Sequence, residues 1–135
     1  MAVFAWDESC SVHVRQFDEQ HKKLFAIIND LANAMRAGKG ESVIRQVVSS
    51  LVTYTGTHFT QEEVLMQQTG YPGLSAHKAQ HAQLMADAGK FRKELDEGKN
   101  PNTVAVLDFL QKWLVNHIRR SDQAYSRHLN AHGVH

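Results

Sequence analysis

Apolar residues recur every three or four positions along almost the whole chain, and histidines and acids interrupt the stripes they form. After Asp18, the run Leu24, Ile28, Leu31 and Met35 marks one helical face, and His21 falls on the same stripe three residues before Leu24. A second face runs through Val43, Val47, Leu51, Tyr54, His58, Glu62 and Leu65. A third carries Leu74, His77, His81, Leu84, Ala88, Phe91 and Leu95, and a fourth Val104, Leu107, Leu110, Leu114, His117 and Ile118. Breakers separate the four: Gly38 and Gly40, then Gly70, Tyr71 and Pro72, then Gly98, Asn100 and Pro101. Asp18 suits a helix N-cap, and Pro72 suits the first turn of a helix. The spacing predicts an N-terminal arm over 1–17, helices over about 18–37, 41–68, 72–97 and 102–128, and a tail over 129–135. Four helices joined by short turns make an all-α, up-down-up-down antiparallel four-helix bundle, a single domain over 1–135.

Composition narrows the function classes. The chain has 135 residues, 42% of them hydrophobic and only two prolines, as a packed helical domain requires. Fifteen Lys and Arg against fourteen Asp and Glu leave no basic surplus for nucleic acid. The single Cys10 has no internal partner for a disulfide, which suits a reducing compartment. The first ten residues lack a basic segment followed by an apolar run, and no apolar stretch reaches the ~18 residues that span a bilayer. These features predict a cytoplasmic, soluble protein. Histidine is the outlier, with nine in all.

Seven residues stand on inward faces where hydrocarbon is expected: His21, His58, Glu62, His77, His81, His117 and Asp122. A lone histidine on an apolar stripe is ordinarily a satisfied core residue. The pair His77 and His81, at i and i+4 on one face, shifts that balance, and His58 with Glu62 repeats the spacing on another helix. Burying an ionised Glu costs several kcal/mol without a charge partner, and no inward Lys or Arg stands at that level. Five imidazoles and two carboxylates are too many for one ion and suit two, with a carboxylate able to bridge them. Asp122 fits less well, because five α-helical residues turn the chain by ~500° and leave it ~140° from His117. Either a local π-type turn realigns the two, or they approach the metals from different sides. Taken alone, Asp122 reads as a surface partner for Arg119.

Other polar residues read as ordinary surface. His13 lies in the arm, His128 and His132 are at i and i+4 in a fraying tail, and 92–97 is a solvated helix face. Glu63 follows Glu62 and points elsewhere, since adjacent helical residues do not share a face.

The pieces Asp18-Glu19-Gln20-His21, His58-Phe59-x-x-Glu62-Glu63, His77-x-x-x-His81 and Trp113-Leu114-x-x-His117-Ile118-x-x-x-Asp122 resemble the bacterial hemerythrins. Trp6 and Tyr71-Pro72 add to the likeness, which spans nearly the whole chain. The resemblance implies two non-heme irons, with His77, His81 and His117 on one and His21 and His58 on the other. Glu62, Asp122 and a solvent-derived oxo or hydroxo group would bridge them. Three nitrogens and three bridges fill the first octahedron, and two nitrogens leave the second with one open position. There dioxygen would bind reversibly, for storage, transport or supply to an oxygen-consuming enzyme, in a protein expected to be a monomer. The resemblance also places Leu24, Phe59, Trp113, Leu114 and Ile118 around the oxygen. Alternatives from other classes are a di-iron oxidase or peroxidase, a nitric-oxide-handling enzyme, and an oxygen sensor. Oxygen-activating di-iron bundles use more carboxylates and paired Glu-x-x-His motifs. No helix here supplies that motif at the metal level, so enzymatic turnover is expected only as a side activity. Affinity order alone does not select iron over zinc or manganese.

Overall fold

A computed structural model of the chain describes residues 4–135 and contains no strand among them; residues 1–3 of the expected arm lie outside the described residues. Helix α1 spans Arg15–Arg36, α2 Gly40–Gln68, α3 Leu74–Asp96 and α4 Thr103–His117. A π-helical segment, Ile118–Asp122, joins α4 directly to α5, Gln123–Ala131. α1 packs on α2, α2 on α3, α3 on α4, and α4 returns to α1, closing a four-helix bundle. Among the described residues no helix is long and apolar enough to cross a membrane.

The ends of α1 show how local chemistry sets the boundaries. The helix begins at Arg15, three residues earlier than the sequence suggests, and Val14 precedes it without a side-chain cap. Asp18 is therefore not the N-cap. It sits in the first turn, where an acid also favours the positive end of the helix dipole, and reaches back to the arm. Its carboxylate accepts hydrogen bonds from the Val12 backbone N–H at 2.8 Å and the Ser11 hydroxyl at 2.6 Å. At the other end Gly38 adopts φ 73°, a left-handed conformation that lets the Lys39 N–H reach the Ala34 carbonyl at 2.7 Å. Pro72 lies in the turn, and α3 starts at Leu74 behind Gly73. On α4, Val104 is 63% exposed, contrary to the expected stripe, and Val106 is buried in its place. Counting back from the buried Leu110 and Trp113, Val106 shares their face, while Val104 falls on the opposite side.

Two apolar clusters result. The larger joins Leu24, Ile28, Leu31, Val48, Leu51, Leu110, Leu114 and Ile118 across the bundle. The smaller gathers Val12, Val14, Phe17, Met66, Tyr125 and Leu129 at the other end. Each fully buried Leu or Ile contributes roughly 1.5–3 kcal/mol through loss of water contact. Between the clusters lies the polar layer. α1 passes from Phe17 through His21 to Leu24, and the chain after α4 passes from Ile118 through Asp122 to Tyr125. The tail is anchored rather than frayed, because Leu129 is buried and the His128 ring donates to the Thr69 carbonyl at 3.0 Å.

Because Asp18 satisfies two donors of the arm that seals the smaller cluster, Asp18→Ala should cost about 1–3 kcal/mol of stability. Equilibrium denaturation reads this directly. An unchanged midpoint would show that the arm is held by Val12, Val14 and Phe17 alone.

Candidate metal centre

All seven inward polar residues meet in this layer, each at most 7% exposed. His58 and Glu62 stand one turn apart on α2, as do His77 and His81 on α3, so each pair projects in one direction. His117 closes α4, and Asp122 closes the π segment. There the Gln123 N–H bonds to the Ile118 carbonyl, five residues back. Widening the turn by a residue brings positions five apart onto one side, which removes the ~140° mismatch of a regular helix. Asp122 is fully buried, and Arg119 bonds instead to the Ser9 hydroxyl at 3.0 Å.

The ring nitrogens divide into two groups around shared acids. Glu62, His77, His81, His117 and Asp122 form one set, and His21, His58, Glu62 and Asp122 the other, with the ligand atoms of each within 4.8 Å of one another. Each carboxylate turns one oxygen to each set. Asp122 Oδ1 lies 3.1 Å from His77 Nε2 and 3.0 Å from His117 Nε2, while its Oδ2 lies 3.1 Å from His21 Nε2. Glu62 Oε1 lies 3.2 Å from His81 Nε2, and Oε2 lies 3.4 Å from His58 and 3.5 Å from His21. Although close, these atoms are not aimed at one another. The Nε2 atoms of all five histidines, both Asp122 oxygens and Glu62 Oε1 are buried without a hydrogen-bond partner. Buried polar atoms are rarely left so, and eight converging on one layer form a donor set able to hold metal ions. The residues fit a pair of ions.

The sequence and fold of known proteins point the same way. The model of the hemerythrin HHE cation binding domain matches residues 12–129. The chain belongs to the hemerythrin family. It is 30% identical to a bacteriohemerythrin of Stenotrophomonas maltophilia over 98% of this chain and 85% of the relative. It is 32% identical to the bacteriohemerythrin of Methylococcus capsulatus over 97% of this chain and all of that protein. The crystal structure of a wild-type hemerythrin superposes with a TM-score of 0.85 at 32% identity, covering 95% of this chain and 98% of that one.

Around this hemerythrin layer stand residues that periodicity did not single out. The Tyr125 hydroxyl donates to Glu62 Oε2, and burial beside Glu62 and Asp122 pushes its pKa well above the phenol range. Gln20 accepts from His58 Nδ1, and Glu63 lies 2.7 Å from His81 Nδ1. Glu63 thus points away from the centre, as expected of a neighbour of Glu62, yet still touches one of its histidines. Leu24, Phe59, Trp113, Leu114 and Ile118 line a small void that also touches His21, His58, His117 and Asp122, together with Leu84, which the sequence suggested only as core. The void leaves no room for a water molecule.

Electrostatics tie protons to this site. Burial alone would depress the His21 pKa, but Asp122 and Glu62 outweigh it and push the group up to about 10. Asp122 is held far below the ordinary carboxylate range: burial and Glu62 oppose this, and His117 and His21 overcome them. Protonated His21 therefore stabilises the metal-free fold fully below its ordinary value of 6.5, and this contribution is lost as pH rises through about 10. A metal needs the neutral ring. Loading at neutral pH should accordingly release at least one proton, seen as a dependence of calorimetric heat on buffer ionisation enthalpy. Equal heats in all buffers would count against a protonated His21 in the metal-free protein.

Proposed function

We propose that the chain binds dioxygen reversibly at a non-heme di-iron centre, for oxygen storage, transport or supply to oxygen-consuming enzymes. The observation that carries this reading is the three-and-two division of imidazoles around two carboxylates, each with one oxygen toward either set. In this reading His77, His81 and His117 would hold one iron and His21 and His58 the other, with Glu62 and Asp122, and an oxo or hydroxo group, shared between them. The smaller nitrogen count would leave room for gas on the His21 and His58 side. When bound, the iron pair supplies the electrons that dioxygen takes up and, on release, returns.

The chain's own residues supply the surroundings. Leu24, Phe59, Trp113, Leu114 and Ile118 keep water from the gas side, so protons enter slowly and binding stays reversible. The Trp113 indole N–H donates to the Leu84 carbonyl at 3.2 Å, pinning α4 to α3 at the edge of this wall. Phe59 stacks on the His81 ring with centroids 3.7 Å apart and planes 4° from parallel, which fixes that imidazole's tilt. Tyr125 holds Glu62 in the orientation that serves both sets. With five histidines to two carboxylates, little anionic charge is available to support the high oxidation states that O–O cleavage requires, so oxidase or peroxidase turnover is a side activity. The same reading treats residues 1–135 as one cytoplasmic, monomeric domain.

Iron-loaded protein, reduced without oxygen and exposed to air, should develop a visible charge-transfer band that disappears on sparging with argon. Irreversible bleaching, or sustained oxidation of the reductant, would replace the carrier reading with an enzymatic one.

Leu114→Ala should leave both irons bound but admit water. Stability should fall by about 2–5 kcal/mol, as for a fully buried leucine, and the oxygenated form should autoxidise faster than wild type at the same oxygen pressure. Equal autoxidation rates with intact iron would make Leu114 a packing residue only.

A further inference from the structure

Two histidines in the layer have identified partners on their outer nitrogens, and the partners differ in charge. His81 and His58 each turn Nε2 toward the carboxylates, so Nδ1 carries the proton and donates outward. His81 donates to Glu63 Oε2 at 2.7 Å, and His58 donates to Gln20 Oε1. Gln20 is neutral and is held in turn, its amide N–H donating to Gln61, which also accepts from Gln16 at 2.9 Å. Glu63 has no such network. Its one ion-pair partner among the described residues is His81, and its side chain is 24% exposed. The carboxylate's charge is therefore directed at a single imidazole, whose face is already clamped by Phe59.

A carboxylate on the far nitrogen of a metal-bound imidazole fixes the ring and strengthens its donation, whereas an amide fixes the ring without adding charge. The three-histidine side thus has a second-layer anion, and the His58 imidazole on the other side has a neutral amide. We propose that Glu63 is a positioning residue that also sets the redox balance of the centre. It strengthens His81 as a donor and favours the oxidised state of the three-histidine iron, while Gln20 leaves the gas-binding side less electron-rich. This rests on the di-iron assignment above and extends it to two residues outside the ligand set.

Two substitutions at opposite sides test it. Glu63→Gln keeps an acceptor for His81 and removes the charge, and Gln20→Glu places a charge behind His58. Both positions are at least partly solvent-accessible. The iron-loaded proteins are titrated on a mediated electrode, which supplies the electrons, while the visible spectrum is followed. E63Q should be easier to reduce by at least tenfold in the equilibrium constant, about 59 mV per one-electron step, and should hold iron about 10–100-fold more weakly. Q20E should shift the potential in the opposite direction. A purely structural Glu63 would leave the E63Q potential where wild type has it, and that result with two irons bound would overturn the proposal. Should E63Q lose its iron, Q20E decides alone, and an unchanged potential there also overturns it. Failure of the wild type to take up two irons would instead remove the di-iron reading itself, and this proposal with it.

Discussion

An ionised carboxylate inside a helical bundle costs several kcal/mol unless positive charge meets it, and here Glu62 and Asp122 lie together with no exposure at all. Like charges at this distance add repulsion to the loss of water. Among the described residues no lysine or arginine pairs with them; beside the Tyr125 hydroxyl on Glu62, the partners within reach are five histidines, on four helical segments. Without metal, the balance is struck by protons, which is why His21 is pushed up and Asp122 down. Metal ions held by these residues would supply far more positive charge at the same place, and would bind only when the four segments are assembled. Ligation energy would then become folding energy.

That requirement accounts for the split core. A bundle of this length could bury one continuous hydrocarbon seam, yet here the apolar residues form two clusters on either side of the polar layer. Each cluster packs against one face of the layer and excludes water from it. Phe17 on one side makes an edge contact with His58, and Phe59 on the other lies flat against His81. Hydrocarbon therefore raises the cost of the bare site and protects the filled one.

Helical periodicity carried much of this information. The positions of His21, His58, Glu62, His77, His81 and His117 are legible because a polar residue on an apolar stripe is conspicuous, and four such stripes specify the bundle. Three kinds of feature were hidden. Asp18 resembles an N-cap by type, but its partners Ser11 and Val12 lie in an irregular arm whose path no periodicity describes. Val104 reads as apolar and inward, although the register of α4 is set by Leu110 and Trp113, and those turn it outward. Gln20, Glu63 and Tyr125 act through hydrogen bonds to residues 38, 18 and 63 positions away. Their residue types are common on any helix surface, so periodicity does not distinguish them and the assembled fold shows what each one touches.

Asp122 lies between the legible and the hidden, since its type suits a ligand and its spacing from His117 does not. The π segment resolves this, and its consequences extend past one side chain. An extra residue in a helix rotates everything after it by ~100°. Asp122 turns inward by that rotation, and so do Tyr125, which meets Glu62, and Leu129, which fills the smaller cluster. Had the helix continued as a regular α-helix from His117, all three would face elsewhere together. The irregular turn is therefore held by both ends at once: by the acid it delivers to the site, and by the apolar contacts of α5 beyond it. Widened turns give up backbone geometry and persist where surrounding structure compensates. Here the compensation comes from the same layer that the turn completes.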